Sequence, residues 1–286
     1  MSNLERRYRV LLKVLPRWYR EDREEEMAGI FLAGRADDLE LEHGWPGWGE
    51  TRAVLGLAVR THLAAGAGLT GVPSRVMWRG EIVRALGMIG LLVGVFQAGA
   101  SVRSAFYATG NPELSRPAPE MLVINVLPIA AFVALLAGKR TLAKSMAFLA
   151  AVPGLLLFGP QPGSWLLWQL PMLVTFACLC LGFHREAPTP PAGRLAWWGG
   201  GALLLGLVAG PWLGTVALVG VLVAVRVVAL VRGDFVLGRA LSVFAVLELG
   251  PIVVLLVGGE VFAAALVLVV LLVVSAVAPV RKPSFS

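Results

Sequence analysis

Glu248 and Arg226 have the most chemistry to offer in this chain, because each lies inside an apolar run where an ion is costly. Glu248 stands nine residues past Arg239, about 13 Å along a helix that rises 1.5 Å per residue. Arg226 stands six residues before Arg232, about 9 Å from the same side. One short connection separates the two runs, so an antiparallel helical hairpin would bring Arg226 towards Glu248 as an intramembrane ion pair. Such a pair would line a proton path or a substrate pathway. The alternative is that Arg226 snorkels to the interface while Glu248 only packs.

The other polar groups suggest less. Gln97, Asn125 and Gln169 also fall inside apolar runs. Amides in such places commonly act as interhelical hydrogen-bond glue, each worth about 0.6 kcal/mol. Cys178 and Cys180 are two residues apart, so on a helix they face different sides and favour neither a mutual disulfide nor a shared metal. The three histidines, His43, His62 and His184, are scattered and make no zinc motif. Gly138-Lys139-Arg140-Thr141 lacks the upstream glycine and the hydroxyl directly after lysine that a P-loop requires. No nucleophile–base pair can be assembled. The expectation is therefore a protein with no catalytic residue, no cofactor and no metal.

The elements that must carry these groups are apolar helices. Of 286 residues, 57% are hydrophobic and 15% charged, and the mean hydropathy is +0.77. Soluble domains usually carry about 25% charged residues. Runs long enough to cross a hydrocarbon core of about 30 Å recur from residue 82 onward. Eight spans are expected, at 84–103, 121–138, 142–160, 164–183, 195–212, 213–231, 237–257 and 260–279. Pro128, Pro171 and Pro251, each mid-span, would kink the helices that hold them and free a carbonyl, and Pro153 falls in the span at 142–160. The rows Gly90-x3-Gly94-x3-Ala98 and Gly206-x3-Gly210-x3-Gly214 allow close helix packing, more within the chain than in a dimer. The join at 210–214 could be a kink in one long element, though 195–231 is too long for one simple crossing.

Charge sets the orientation. The net charge is +7, but residues 1–81 hold twelve basic and twelve acidic side chains, so the excess lies entirely in 82–286. Lys139, Arg140, Lys144, Arg185, Arg194, Arg232, Arg239, Arg281 and Lys282 fall in or beside alternate connections. The connections at 161–163 and 210–214 have no basic residue, and 104–120 sets Arg116 against Glu113 and Glu120. This is the positive-inside pattern, and it places both termini in the cytoplasm. The excess is thus a topology signal, and no nucleic-acid contact is expected. Residues 1–26 carry no apolar signal segment, so insertion is expected to use the first span.

Residues 1–81 read as a small three-helix cytoplasmic domain. Leu4, Tyr8, Leu11, Leu12 and Leu15 form one stripe of an amphipathic helix that Pro16 ends. A second helix is expected from Arg17 to Ala33, burying Met27, Ile30 and Phe31. Residues 34–49 read as linker, and a third helix from about Glu50 to Ala65 should bury Leu55, Ala58, Val59 and Leu63. Residues 1–20 are net +5 and 21–50 net −8, so the first two helices are expected to pair their faces. Three short helices are marginal alone, which makes docking on lipid, on the spans or on a partner expected.

The run Tyr8-x2-Leu11-Leu12-x2-Leu15-Pro16-x2-Tyr19-Arg20, with an acidic stretch ending Glu26-Met27, resembles the HAAS-type helical prefix domain. That module is fused to bacterial permease-like proteins and to actinobacterial membrane proteins, often encoded near PadR-family transcription regulators. The likeness covers about 35 residues well and about 65 in all, and none of the spans. It implies that Tyr8, Leu12, Pro16, Tyr19, Arg20 and Met27 form the module's core and interaction surface. Unlike the fused permeases, this chain has no large extracytoplasmic domain.

The chain is thus expected to be an all-α membrane protein. It comprises a prefix with linker at 1–81, about eight transmembrane helices within 82–280, and a tail at 281–286. The leading expectation is a bacterial multi-pass regulatory or sensory protein of the cytoplasmic membrane. Its prefix would dock a cytoplasmic partner, a transcription regulator or an ATPase subunit. The alternative is a permease-type transporter subunit working with a separate ATPase or through Glu248 and Arg226.

Overall fold

The computed structural model describes residues 2–33, 44–111, 119–152, 162–184, 187 and 189–257. These residues are all-helical, with no strand among them. The chain divides into two compact units, Met1–Gly80 and Glu81–Ser286.

In the first unit, α1 (Asn3–Leu12), α2 (Arg17–Ala33) and α3 (Trp48–His62) share one core. Ser2 caps α1 by accepting the Glu5 amide at 3.1 Å. The expected stripe is buried: Leu4, Tyr8, Leu12 and Leu15 meet Ala28, Phe31, Val54 and Ala58. Helix α1 stops at Leu12, and residues 13–15 close by turn hydrogen bonds before Pro16. The Tyr8 and Phe31 rings stack with centroids 3.9 Å apart, and the Tyr8 hydroxyl donates to Glu50 Oε1 at 3.2 Å.

That stack sets the rotation of α2, and it overturns one expected core position. Ile30 is 70% exposed and Ala28 is buried in its place, with Met27 half-buried. Helix α3 starts at Trp48, two residues early, and its buried face is Val54, Ala58 and Thr61. Leu55 and Val59 are exposed and Leu63 is half-buried, so the expected face is correct only at Ala58. Thr61 can occupy the core because its hydroxyl donates to the Leu57 carbonyl at 2.9 Å. The charge pairing between α1 and α2 is present: Arg9 binds Glu25 at 2.7 Å and lies 3.9 Å from Glu24.

The second unit contains α5 (Pro119–Leu136), α6 (Arg140–Ala151), α7 (Pro162–Gly182), α8 (Ala192–Arg232) and α9 (Phe235–Val257), with most of α4 (Ser74–Gly110). Its main core joins Leu91 and Val95 of α4 to Phe132 and Leu135 of α5, Ala143 and Ala147 of α6, and Leu179 of α7. The glycine rows pack helix on helix within the chain. A Cβ on Gly94 would lie 2.8 Å from the Pro128 ring, and one on Gly99 2.6 Å from the Leu203 carbonyl. One on Gly206 would collide with the Phe96 carbonyl. Arg140 donates to the carbonyls of His184 and, at 3.0 Å, Ala187, tying down the chain that leaves α7.

Among the described residues, two helices are long and apolar enough to cross a membrane: Ser74–Gly110, and the first arm of α8, Ala192–Gly210. Leu122–Leu136 and Leu166–Gly182 are shorter apolar helices. The expected spans at 84–103, 121–138, 164–183 and 237–257 each coincide with one helix, α4, α5, α7 and α9. The span expected at 142–160 differs, since α6 has 12 residues and reaches only about 18 Å at 1.5 Å per residue. Its Pro153 lies outside the described residues, as do the linker at 34–43, the span at 260–279 and the tail. The elements expected at 195–212 and 213–231 are two helical arms of α8, Ala192–Gly210 and the stretch on to Arg232, which meet at a kink where Gly210 takes the non-helical φ 59°, ψ −161°. That region of backbone space is essentially glycine's alone, so the bend sits where the sequence permits it.

Candidate functional site: an interior polar cavity

Helices α8 and α9 are joined by Gly233 and Asp234 alone. Gly233 is left-handed at φ 67°, and Asp234 Oδ1 accepts the Leu237 amide at 2.9 Å to open α9. This hairpin buries both candidate residues: Arg226 is 3% and Glu248 4% exposed.

The expected ion pair between them is not formed. The Arg226 guanidinium lies against Gly238, in the space a Cβ there would need. Gly238 is ten residues before Glu248, about 15 Å along the helix. The expectation failed because it measured the depth of both residues from their flanking arginines. In the observed hairpin the turn is tighter, and Arg226 meets the first turn of α9. Both groups keep a buried atom without a hydrogen-bond partner, Arg226 Nε and Glu248 Oε1.

Glu248 instead faces a cavity of about 120 Å³. Each described helix of the second unit contributes to its wall: Gly94 and Gln97 from α4, Asn125 from α5, Ala150 from α6, Gln169 from α7, Leu222 from α8 and Glu248 from α9. The three amides expected to act as interhelical glue make no hydrogen bond to another described residue; they line the cavity beside Glu248. Gln97 and Asn125 are exposed, Gln169 is half-buried and Glu248 is buried, so polarity runs inward from the surface. Trp168, Met172 and Phe244 supply apolar wall, and among the described residues no lysine, arginine or histidine lines the cavity.

Pro128, Pro171 and Pro251 all line this one space. A proline inside a helix removes the bond to the carbonyl four residues back, here those of Ile124, Leu167 and Leu247. The Thr175 hydroxyl donates to the Pro171 carbonyl at 2.7 Å, one turn along α7. The convergence of the amides and prolines was not read from the sequence. Their positions were visible, but the packing that turns them inward depends on contacts between distant helices.

The prefix candidates lie in the first unit. Tyr8 and Leu12 are core residues, and Tyr19 and Met27 pack half-buried against that core. The Pro16 carbonyl accepts the amides of Tyr19 and Arg20, so Pro16 opens α2. Arg20 lies 3.9 Å from Glu24. Cys178 is buried, Cys180 is exposed, and both are free. Among the described residues, no three His, Cys, Asp or Glu side chains converge as a metal site. Compared with known protein families, with curated proteins and with solved structures, the chain matches none.

Proposed function

We propose that the second unit binds a small polar or charged solute in the cavity at Glu248 and moves it across the bilayer. It would act as a permease-type transporter, alone or with a separate ATPase subunit, and not as an enzyme. The observation that carries this reading is the cavity's polar lining: Gln97, Asn125, Gln169 and Glu248 come from four different helices and share one cavity. Polar groups inside apolar helices mark solute pathways when they share a cavity. Bent, proline-broken helices around a central site support the same reading.

The topology in this proposal has about eight crossings, in a bacterial cytoplasmic membrane, with both termini in the cytoplasm. The alternation of Lys139, Arg140, Arg194, Arg232 and Arg239 with loops free of basic residues supports it. The test is uptake by the full chain in liposomes, using labelled small amines, amino acids and sugars. Glu248→Gln is expected to abolish uptake of the accepted solute while leaving the protein folded. Uptake unchanged in that variant would reject the proposal.

A second reading, a regulator whose prefix docks a transcription regulator or an ATPase subunit, is favoured by a separate observation. Trp48, Leu55 and Val59 run along α3 as an exposed apolar stripe, and such stripes mark interaction surfaces. The likeness to HAAS-type prefixes belongs to this reading. Full-length protein in nanodiscs should then capture such a partner, and a Trp48→Ser/Leu55→Ser version should lose it. Equal capture by both would reject docking on α3.

A further inference from the structure

We propose that the solute of this cavity is a small monovalent cation, with Glu248 as its charge partner and neutral oxygens as its remaining ligands. This rests on reading the cavity as a solute site, and adds the chemical class.

Charge comes first. Among the described residues, the lining holds one carboxyl group and no lysine, arginine or histidine. An anion would find no counter-charge there. A neutral solute would leave the carboxylate without a charge partner in an apolar interior, which is costly. Glu248 is nine-tenths buried with Oε1 unpartnered, and Arg226 is committed elsewhere, against Gly238. One carboxylate balances one positive charge, which disfavours a divalent ion. Among the described residues no trio of His, Cys, Asp or Glu exists to suit a transition metal.

Ligand type comes second. The other polar groups on the wall are amide side chains, Gln97, Asn125 and Gln169, each with a carbonyl oxygen to offer. Pro128 leaves the Ile124 carbonyl without its helical bond, and Ile124 lines the cavity. The Leu167 carbonyl lies beside α9 two residues from Glu248, for a Cβ on Gly250 would be 2.7 Å from it. Backbone carbonyls left free of helical bonding can share a monovalent cation with a carboxylate in a membrane domain. Trp168 and Phe244 add aromatic faces that tolerate an ammonium ion as well as an alkali ion.

The test uses the full chain in liposomes with Cys178→Ala and Cys180→Ala, carrying Ala150→Cys as a reporter on the cavity wall. Ala150 lines the cavity and offers no side-chain ligand. Labelling by a small uncharged thiol reagent is timed in sodium, potassium or ammonium chloride, and in N-methylglucamine chloride at equal ionic strength. At least one small ion should slow labelling relative to N-methylglucamine, by about tenfold at ten times its dissociation constant. Glu248→Gln should label freely but lose that protection. Glu248→Asp, which keeps the charge, should retain it at shifted ion affinity, and it decides the question if the Gln variant does not fold. Labelling indifferent to the ions, or protected equally in the Gln variant, overturns the cation inference and leaves the cavity reading standing. A reporter that labels only after denaturation overturns both.

Discussion

Arg226 can be buried because Gly238 has no side chain: the guanidinium fills the space a Cβ would take. Gly238→Ala should therefore displace the flexible end of Arg226 and destabilise the second unit modestly, by about 1 kcal/mol, the scale of forcing a side chain off its preferred rotamer. Thermal unfolding in detergent would measure it. In an Arg226→Ala background the same change should be far milder, because residues in contact couple. In the first unit the Tyr8–Phe31 stack is the equivalent single point of dependence. Tyr8→Ala should cost about 3–5 kcal/mol and free the α1 amides to hydrogen exchange. The Arg9 hydrogen bond holds the Glu25 carboxyl below its usual range, and the same bond raises Arg9. A depressed carboxylate stabilises fully above its unfolded value and ceases to as pH falls through its folded one. The window thus lies below about pH 4.3. Both groups are at the surface, so the effect is small. Protection of α1 and α2 amides should fall on acidification through that window, and Arg9→Gln should remove the step.

Helices were the most legible part of the sequence because their signals are local. The stripe Leu4–Tyr8–Leu12–Leu15 is buried where its spacing puts it, and Pro16, Gly138 and Gly233 punctuate the chain where turn chemistry requires. Rotation was less legible. Leu55 and Val59 of α3 are exposed because Val54, Ala58 and Thr61 fit the Tyr8 core better, and a contact of that kind has no signature within the helix. Helix α8 lies between these cases: Gly210-Pro211 marks a break but not whether it is a turn or a bend. The bend rests on φ 59°, ψ −161° at Gly210, so Gly210→Ala should cost about 1–3 kcal/mol. Gly220→Ala, in open space on the same helix, should be neutral or slightly stabilising, and the difference in melting temperature checks the pair.

At the scale of the whole molecule, the candidate site is a product of tertiary packing. Glu248 could be singled out because an acid in an apolar run is rare, whereas Gln97, Asn125 and Gln169 looked like ordinary amides. They gain meaning only when six helices turn them to one cavity of about 120 Å³. The pairing of Glu248 with Arg226 was misread for the same reason, since register across a hairpin depends on its turn. The central claim is that this cavity is wet and lies inside a lipid-embedded unit. Its most direct test compares two single-cysteine reporters in liposomes, Ala150→Cys on the cavity wall and Val208→Cys on α8, where Val208 is 83% exposed. A water-soluble thiol reagent should label the buried Ala150 position and spare the exposed Val208 position, because the latter faces lipid. Rapid labelling at Val208 with none at Ala150 would contradict the account.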